Sequence, residues 1–333
     1  MRTLEEFKAF YEQAIRPHLV ELDGQRRKVA GALVLSWLVF LGCVVVLFAI
    51  GSAYEGSDSY PWLGVVGAFA LFYIAYFTWM AVTKKKQKFV IEFKRLVVDG
   101  IVKFVDPGLA YSPDSMISQS VYGESRLFLK SWDRYEGDDY VEGKIGKTSI
   151  RFSEVRTQYK VERETQNGTK EKWHPIFWGL FFKCEFNKSF RGRTFVFPDK
   201  AERLLGRFGS FLQSMDKSHG QLVQLEDVEF EKRFAVHGDD QVEARYVLST
   251  SLMSRLTQFR DKMKQVVCLS FVQSNLYVAI SFNKPLFEPR IFRTLVDYKA
   301  CQAYFDNLQL VVGIVDDLNL NTRIWGEKAY ADA

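Results

Sequence analysis

Two apolar stretches separated by a short polar segment constrain this 333-residue chain more than any other feature. The first runs from Val29 to Ile50 and the second from Pro61 to Val82, and neither contains a charged side chain. A helix rises about 1.5 Å per residue, so about 20 apolar residues cross the hydrocarbon of a bilayer. The sequence therefore predicts transmembrane helices at 29–50 and 61–82, joined by a short extracytoplasmic loop at 51–60.

Two weaker interpretations of the apolar stretches stay open. The apolar core of a cleaved secretory signal is about 7–15 residues long and lies close to the N-terminus. The first stretch here is longer and starts after a 28-residue segment. The second alternative is a pair of core helices in a soluble protein, which seldom keep two uncharged runs of this length.

Basic residues beside the stretches predict the orientation of the hairpin. Three precede the first stretch and four follow the second: Arg26, Arg27, Lys28, Lys84, Lys85, Lys86 and Lys88. The segment 51–60 contains neither Lys nor Arg. Short segments rich in Lys and Arg stay on the cytoplasmic side, so we expect a two-span protein of the inner (plasma) membrane with both termini cytoplasmic. These seven residues exceed the formal net charge of +5, so the basicity is explained without a nucleic-acid partner.

Helical patterns flank the predicted hairpin. The pattern of residues 1–28 predicts a cytoplasmic amphipathic helix. It is expected to begin with a capping box at Thr3 and to stop at Asp23-Gly24, with a kink or an earlier end at Pro17. After the second stretch the helical period continues as a stalk over residues 83–108, ending at Asp106-Pro107-Gly108. Residues 109–333 are then expected to form a cytoplasmic domain.

The region after the stalk alternates between strand and helix patterns. Strand-like segments lie at 139–164, 176–187, 193–197, 228–236 and 267–282, and helical ones at 112–123, 199–215, 239–263 and 290–318. Tight connections between consecutive strands, such as Gln273-Ser274-Asn275, favour an antiparallel sheet with packed helices. The predicted fold class is therefore α+β. The last helix is expected to cover the sheet, and a coiled-coil seam is the weaker alternative.

The first patch of polar residues that suits chemistry contains His237, Asp239, Asp240 and Arg245. An imidazole beside two carboxylates can perform acid–base work or hold a metal. The stronger interpretation is structural. Gly238 ends a strand, one of the two aspartates caps the next helix, and Glu243 lies in its first turn, where negative charge is favoured.

The second patch is the densest aromatic run outside the membrane, and basic residues follow it. Its candidate ligand or lipid contacts are Trp173, Trp178, Lys183, Lys188, Arg191 and Arg193. Such a patch can form a ligand pocket or contact the inner leaflet, where the cations would bind lipid phosphates. The alternative, which is favoured, is a core strand beside charges that are merely solvated.

Familiar catalytic and metal-binding motifs are missing from the sequence. It contains no GxGxxG, no GxxxxGK[ST], no GxSxG and no HExxH. The cysteines Cys43, Cys184, Cys268 and Cys301 are far apart, and in a cytoplasmic protein we expect them to be reduced, buried and apolar in character. No cofactor and no metal is therefore predicted.

Two runs of residues carry a resemblance to a known family. They are Gly179–Lys188, and Phe230–Val236 leading into Asp240–Ser249. Here the chain resembles a bacterial family known only as a domain of unknown function. The resemblance implies an N-terminal membrane hairpin with a cytoplasmic α+β region, it covers most of residues 84–318, and it implies no catalytic residues.

The leading hypothesis for function is a membrane-anchored cytoplasmic binding or regulatory module without catalytic activity. It would contact the lipid bilayer through its hairpin and a protein partner through its cytoplasmic domain, and a homo-oligomer remains open. One alternative is an enzyme that processes a lipid or nucleotide through residues 237–245. Another is a two-span oligomeric channel.

Overall fold

A computed structural model describes residues 2–54, 61–165, 168–186, 188–198, 219–263, 265–282 and 284–320. Most of the loop predicted at 51–60, and the whole helix predicted at 199–215, lie outside the described residues. The chain divides into two compact units. The helical unit contains residues 3–100 and 288–303, and the sheet unit contains the described residues of 101–287 and 304–333 together with Arg2.

The described residues of the N-terminal third of the chain are largely helical. Its elements are α1 (Leu4–Phe10), a π-helical turn (Tyr11–Ile15), α2 (Arg16–Tyr54), α3 (Pro61–Phe93), a second π-helical turn (Lys94–Val98) and α4 (Asp99–Val105). The predicted capping box is confirmed, because the Glu6 amide donates to the Thr3 hydroxyl and the Glu6 carboxylate accepts from the Thr3 amide at 2.8 Å. The predicted helical continuation after the second apolar stretch is also confirmed, and it ends at Val105.

The predicted stop at Asp23-Gly24 is wrong, because α2 runs through both residues. Pro17 is the second residue of α2 and directly follows the π-helical turn, and the helix runs on through it. Asp23 pairs with Arg26 and Arg27, one turn further along the same helix, instead of ending it. The amphipathic N-terminal segment and the first apolar stretch therefore form one continuous helix.

Both long helices expose large apolar side chains over consecutive turns. Phe48 in α2 is 79% exposed and Phe69 in α3 is 69% exposed, and most large apolar side chains at 34–46 and 72–79 are about half exposed. Each helix is long and apolar enough to cross a membrane. That part of the predicted localisation is confirmed, whereas the orientation of the hairpin stays a prediction.

The sheet unit is built on one sheet. Within the described residues its strands are β1 (Leu109–Ser112), β2 (Arg134–Ile145), β3 (Thr148–Thr165), β4 (Gly168–Glu185), β5 (Thr194–Pro198), β6 (Gln221–Leu222), β7 (Phe234–Gly238), β8 (Val267–Val272) and β9 (Asn275–Ser281). They lie in the order β1-β2-β3-β4-β9-β8-β5-β7-β6, and every pairing is antiparallel. The predicted α+β class is confirmed.

Helices follow or precede these strands. They are α5 (Gln119–Glu124), α6 (Val228–Glu231), α7 (Gln241–Val247), α8 (Thr250–Met263) and α9 (Tyr298–Asp317), of which α9 continues from the helical unit into the sheet unit. The part of α9 in the sheet unit buries an apolar face there, with Phe305, Leu308 and Val315 at most 1% exposed. This burial agrees with the expected covering role of the last helix.

Local caps and turns shift four of the predicted element boundaries. The helix expected at 112–123 begins only at Gln119, because Ser112 pairs with Tyr140 in the sheet and Ser118 supplies the cap. The strand expected at 228–236 starts at Phe234. The first residues of the predicted segment, Val228–Glu231, form α6 instead, since the Asp227 carboxylate caps this helix by accepting the Phe230 amide at 3.0 Å.

The other two corrections concern longer helices. The helix expected at 239–263 is interrupted at Leu248, whose ψ of 66° is not helical, so α7 and α8 are separate. The helix expected at 290–318 starts at Tyr298, where the Asp297 carboxylate accepts the Lys299 amide at 3.0 Å. In each case a local cap or turn overrides the apolar periodicity.

Aromatic rings fill much of the core on one side of the sheet. Tyr122 of α5 stacks on Phe128 at 5.1 Å, contacts Phe181 of β4 at 5.0 Å, and shares a hydrogen bond with the Thr157 hydroxyl at 3.0 Å. The four cysteines are buried and reduced, as expected. Burial raises the pKa of the Cys301 thiol to about 12, so this thiol stays protonated at neutral pH.

Candidate functional site

The structure joins parts of the two predicted patches around helix α7. The loop at 188–193 connects β4 to β5 and contacts residues 239–247, which follow β7 and include α7. We call these two segments together the α7 clasp. The basic residues of one patch and the acidic residues of the other therefore belong to one site. This contact links positions about 50 residues apart and could not be predicted from local sequence.

Acidic side chains hold the N-terminal end of the clasp. The Asp240 carboxylate accepts the amides of Val242 at 2.7 Å and Glu243 at 2.9 Å, which makes Asp240 the N-cap of α7. The Glu243 carboxylate accepts the amides of Arg191 at 2.6 Å and Gly192 at 2.5 Å. A Cβ on Gly192 would lie 2.3 Å from the Glu243 carboxylate, so only glycine allows this approach without rearrangement.

An ion pair closes the same end of the clasp. The Arg193 guanidinium donates to both oxygens of Asp239, at 2.7 and 3.0 Å. This guanidinium lowers the pKa of the Asp239 carboxyl below its ordinary value. His237 lies on β7, two residues before Asp239. This residue is 5% exposed, and its ring lies 6.2 Å from the ring of Phe197. The imidazole is therefore part of the packed interior.

Cations hold the C-terminal end of the clasp. The Lys188 ammonium donates to the carbonyls of Tyr246 at 2.5 Å and Val247 at 3.4 Å, and it lies 4.7 Å from the centre of the Tyr246 ring. A cation is favoured here, because the last carbonyls of a helix have no partner within the helix. Arg245 donates to the carbonyl of Gln224 at 3.2 Å and so joins α7 to the segment after β6.

The remaining candidates lie along β4, apart from the clasp. The Trp173 ring packs under the Arg134 guanidinium at 4.3 Å, and the Trp178 ring contacts Arg156 at 5.3 Å. Lys183 pairs with the Glu124 carboxylate at 3.2 Å. These side chains are separated along an extended strand, which rises about 3.3 Å per residue. They therefore do not line one pocket with the basic loop.

The outward face of α7 carries two exposed apolar residues. Val242 is 75% exposed and Tyr246, one turn later, is 42% exposed. Arg191 is also exposed, and its guanidinium has no partner among the residues that the structure describes. The opposite face of α7 is buried through Ala244 and Val247. The clasp thus fixes the short helix α7 at both ends and presents Val242 and Tyr246 on its outward face. The loop of the clasp carries the exposed Arg191 guanidinium.

The chemistry of the clasp follows from these contacts. Asp240 and Glu243 accept backbone amides, Asp239 accepts an arginine, and Arg245 donates to a carbonyl and to Gln241. Each of these groups has a defined structural partner. The prediction that one of the two aspartates caps the helix is confirmed for Asp240. An acid–base role for the patch stays a prediction. The arrangement is suited to present a rigid surface.

Sequence reasoning missed a group of three carboxylates in the β2–β3 hairpin. Oxygens of Asp138, Asp139 and Glu154 lie within 4.8 Å of one another, and Asp138 is directly opposite Glu154 in the sheet. Asp139 adopts a φ of 58° at a bulge and accepts the Tyr111 hydroxyl, while Glu154 accepts the Leu286 amide at 2.7 Å. Such oxygens suit a hard cation, and only the hairpin register, which the sequence does not show, brings them together.

Glu243→Gln is expected to loosen the clasp. An amide group cannot accept both N–H groups of Arg191 and Gly192, so one of these exposed or half-buried donors loses its partner at a cost of about 1 kcal/mol. Hydrogen exchange measured on the full chain should become faster at these two amides. Glu229→Gln is the matched control, because the 65% exposed Glu229 carboxylate pairs only with Lys232 and Arg233, which directly follow its short helix. Equal exchange in both variants would contradict the role of Glu243.

Comparison with known proteins adds a family match. Residues 175–320 match the model of a family described as "Protein of unknown function (DUF3137)". The match starts within β4 and ends after α9, and it confirms the predicted resemblance to a domain-of-unknown-function family over this part of the chain. The clasp lies within the matched residues, whereas the apolar helices lie outside them.

No match is found among the curated proteins. Among solved structures, the chain is similar to the mycobacterial trehalose monomycolate transport factor A, TtfA, at 8% identity and a TM-score of 0.32. That alignment covers 65% of this chain and 94% of the other. A likeness at this level says nothing about the function of the present chain.

Proposed function

We propose that the chain is a membrane-anchored binding module, in which helices α2 and α3 cross the inner membrane and the α7 clasp binds a protein partner in the cytoplasm. The observation that carries the binding role is the outward face of α7. Its apolar residues are exposed although the helix is fixed at both ends. A rigid, exposed apolar pair is typical of an interaction surface.

The anchoring role rests on the uncovered apolar side chains of α2 and α3. Side chains such as Phe48 and Phe69 need a hydrocarbon environment, because water contact along several consecutive turns is unfavourable. The lysines after the second stretch favour a cytoplasmic location for the sheet unit. A reporter fused to the C-terminus should therefore be active only on the cytoplasmic side, and carbonate washing should leave the protein in the membrane.

The chemistry of the clasp indicates what the partner carries. Val242 and Tyr246 would contact apolar side chains, and the exposed Arg191 guanidinium would pair with a carboxylate. We therefore propose a protein segment that combines apolar residues with an acidic residue. This recognition requires no covalent bond to form or break.

The binding role is tested with a photoreactive phenylalanine in place of Tyr246, in the full chain and in its native membrane. Illumination should give one discrete adduct with a second protein. Val242→Asp should reduce that adduct about tenfold, since a buried carboxylate facing apolar groups is strongly unfavourable. The variant should still fold, because an acidic residue in the first turn of a helix is favourable.

A matched control is available in α6. Val228 is also exposed, at 64%, and also lies in the first turn of a short helix. Val228→Asp should therefore leave the adduct unchanged. Equal loss in both variants, or loss in neither, would contradict binding through the α7 face.

A further inference from the structure

A lateral groove lies between α2 and α3. It has a volume of about 290 Å³ and is floored by the small side chains of Ser36 and Ala75, which are 5% and 8% exposed. Its walls are aromatic rings from both helices: Trp37, Phe40, Phe72, Tyr76 and Trp79. Trp37 and Trp79 meet edge to face at 5.9 Å at one end. These rings are about half exposed, so the groove is open at the side.

The size of the groove selects the class of occupant. A helix with its side chains is at least about 10 Å wide. A volume of 290 Å³ would therefore hold only about 4 Å of the length of such a helix. A single acyl chain is narrow enough to lie along the groove. The lining is almost wholly apolar and aromatic, which suits methylene groups.

Charge beside the groove selects the headgroup. Lys84 follows Trp79 by five residues, which places it about 7.5 Å further along α3. Lys84, Lys85, Lys86 and Lys88 are exposed and make no ion pair with any residue in the described part of the chain. Four uncompensated cations next to an apolar groove are complementary to a phosphate ester that carries an acyl chain.

We infer that the groove holds one acyl chain of an anionic phospholipid, whose headgroup lies against the lysines at 84–88. This inference rests on the proposed membrane anchoring, since the lipid is taken from the leaflet that surrounds the hairpin. The site differs from general attraction to a charged surface, because chain and headgroup are bound together. The occupant is a lipid molecule and not a second protein helix.

The test uses the full chain reconstituted in bilayers that contain a minor fraction of lipid with brominated acyl chains, which quench nearby tryptophans. Brominated phosphatidylglycerol is compared with brominated phosphatidylcholine. The difference between the wild type and Trp37→Phe/Trp79→Phe isolates the groove. We expect the anionic lipid to be enriched about fivefold at these rings.

Two sets of variants separate chain from headgroup. Replacing Lys84, Lys85, Lys86 and Lys88 by glutamine should make the two brominated lipids equal. Ala75→Leu fills the floor and should lower quenching by the anionic lipid, whereas Ala70→Leu changes an exposed alanine on the same helix and should not. The lysine variants keep the test valid if the Ala75 variant fails to fold.

The outcomes also separate this inference from the anchoring on which it rests. Equal quenching of the wild type by both lipids would overturn the lipid site and leave the anchoring in place. No quenching by either lipid would overturn the anchoring itself. Quenching that rises only when the protein is diluted, together with a cross-link between two copies at Tyr76, would show a second hairpin in the groove and would also overturn the lipid site.

Discussion

Gly179→Ala is expected to cost the sheet unit at least about 3 kcal/mol of unfolding free energy, and to prevent folding at elevated temperature. Gly179 lies in β4, where β4 pairs with β3 on one side and β9 on the other. A Cβ at this position would lie 2.0 Å from the carbonyl oxygen of Ile280 and 2.9 Å from the amide nitrogen of Phe282. Both atoms are backbone, so relief requires β9 to move away from β4.

Such a movement would break the centre of the sheet. The β4–β9 pairing joins the β1–β4 half of the sheet to the β5–β9 half, because β9 is the neighbour of β4 in the strand order. Residues on both sides of the contact are buried, among them Leu180 and Ile280 at 0% exposure. Separation would expose these side chains and leave ladder hydrogen bonds unmade.

Gly123→Ala is the matched control for this prediction. Gly123 lies in helix α5, and a Cβ there would meet only a ring atom of Trp132 at 3.6 Å, which is an ordinary contact. Alanine also has a higher helix propensity than glycine. Thermal unfolding of the full chain, followed by circular dichroism, should therefore show a loss for Gly179→Ala and no loss for Gly123→Ala. A Gly179 variant as stable as wild type would show that β4 and β9 are not in close contact.

Gly179 illustrates which parts of the fold the sequence could predict. The β8–β9 hairpin was predicted because its turn is local, and Gln273 and Ser274 do adopt positive φ values of 49° and 58°. The neighbour of β4 was not predicted, because β9 lies about 90 residues further along the chain. Local patterns therefore identified the α+β class, whereas the order of the strands depends on pairing between distant segments.

In the candidate site, too, local contacts could be predicted from the sequence, whereas contacts between distant segments could not. One of Asp239 and Asp240 was expected as a helix cap, and Asp240 has this role, since a cap acts on amides two and three residues ahead. Glu243 was placed correctly in the first turn, but its partners, the amides of Arg191 and Gly192, come from a loop more than 50 residues earlier. The basic loop was assigned to lipid or solvent for the same reason. Its contact with α7 exists only in the folded sheet.

Asp23→Asn is expected to have the second large effect, in the helical unit. Asp23 and Arg26 are 5% and 9% exposed, and their side chains pair at 2.7 Å. The same carboxylate accepts the Leu295 amide at 3.0 Å, and Arg26 donates to the Ile291 carbonyl at 2.9 Å. Arg26 was counted as a residue that sets membrane orientation, but in the structure it joins α2 to the segment 288–297.

The expected cost of this substitution is about 3 kcal/mol, because an asparagine leaves the buried Arg26 charge without its counterion. Hydrogen exchange at Leu295 should become faster, and the midpoint of chemical unfolding of the helical unit should fall. Glu12→Gln is the matched control in the same helical segment. Glu12 pairs with Arg16 at 2.8 Å, but both side chains are about half exposed, so we expect almost no change.

The pH dependence of stability gives an independent check on Asp23. The hydrogen bond from Arg26 lowers the pKa of the Asp23 carboxyl from 3.8 to about 2, against the opposing effect of burial. Since the folded state has the lower pKa, the stabilisation is complete above about pH 4 and is lost as the pH falls towards 2. A shift of this size corresponds to about 2 kcal/mol. Unfolding measured across this window should show a steeper loss of stability in the wild type than in Asp23→Asn. Parallel curves would mean that the carboxylate does not hold Arg26 in the folded protein.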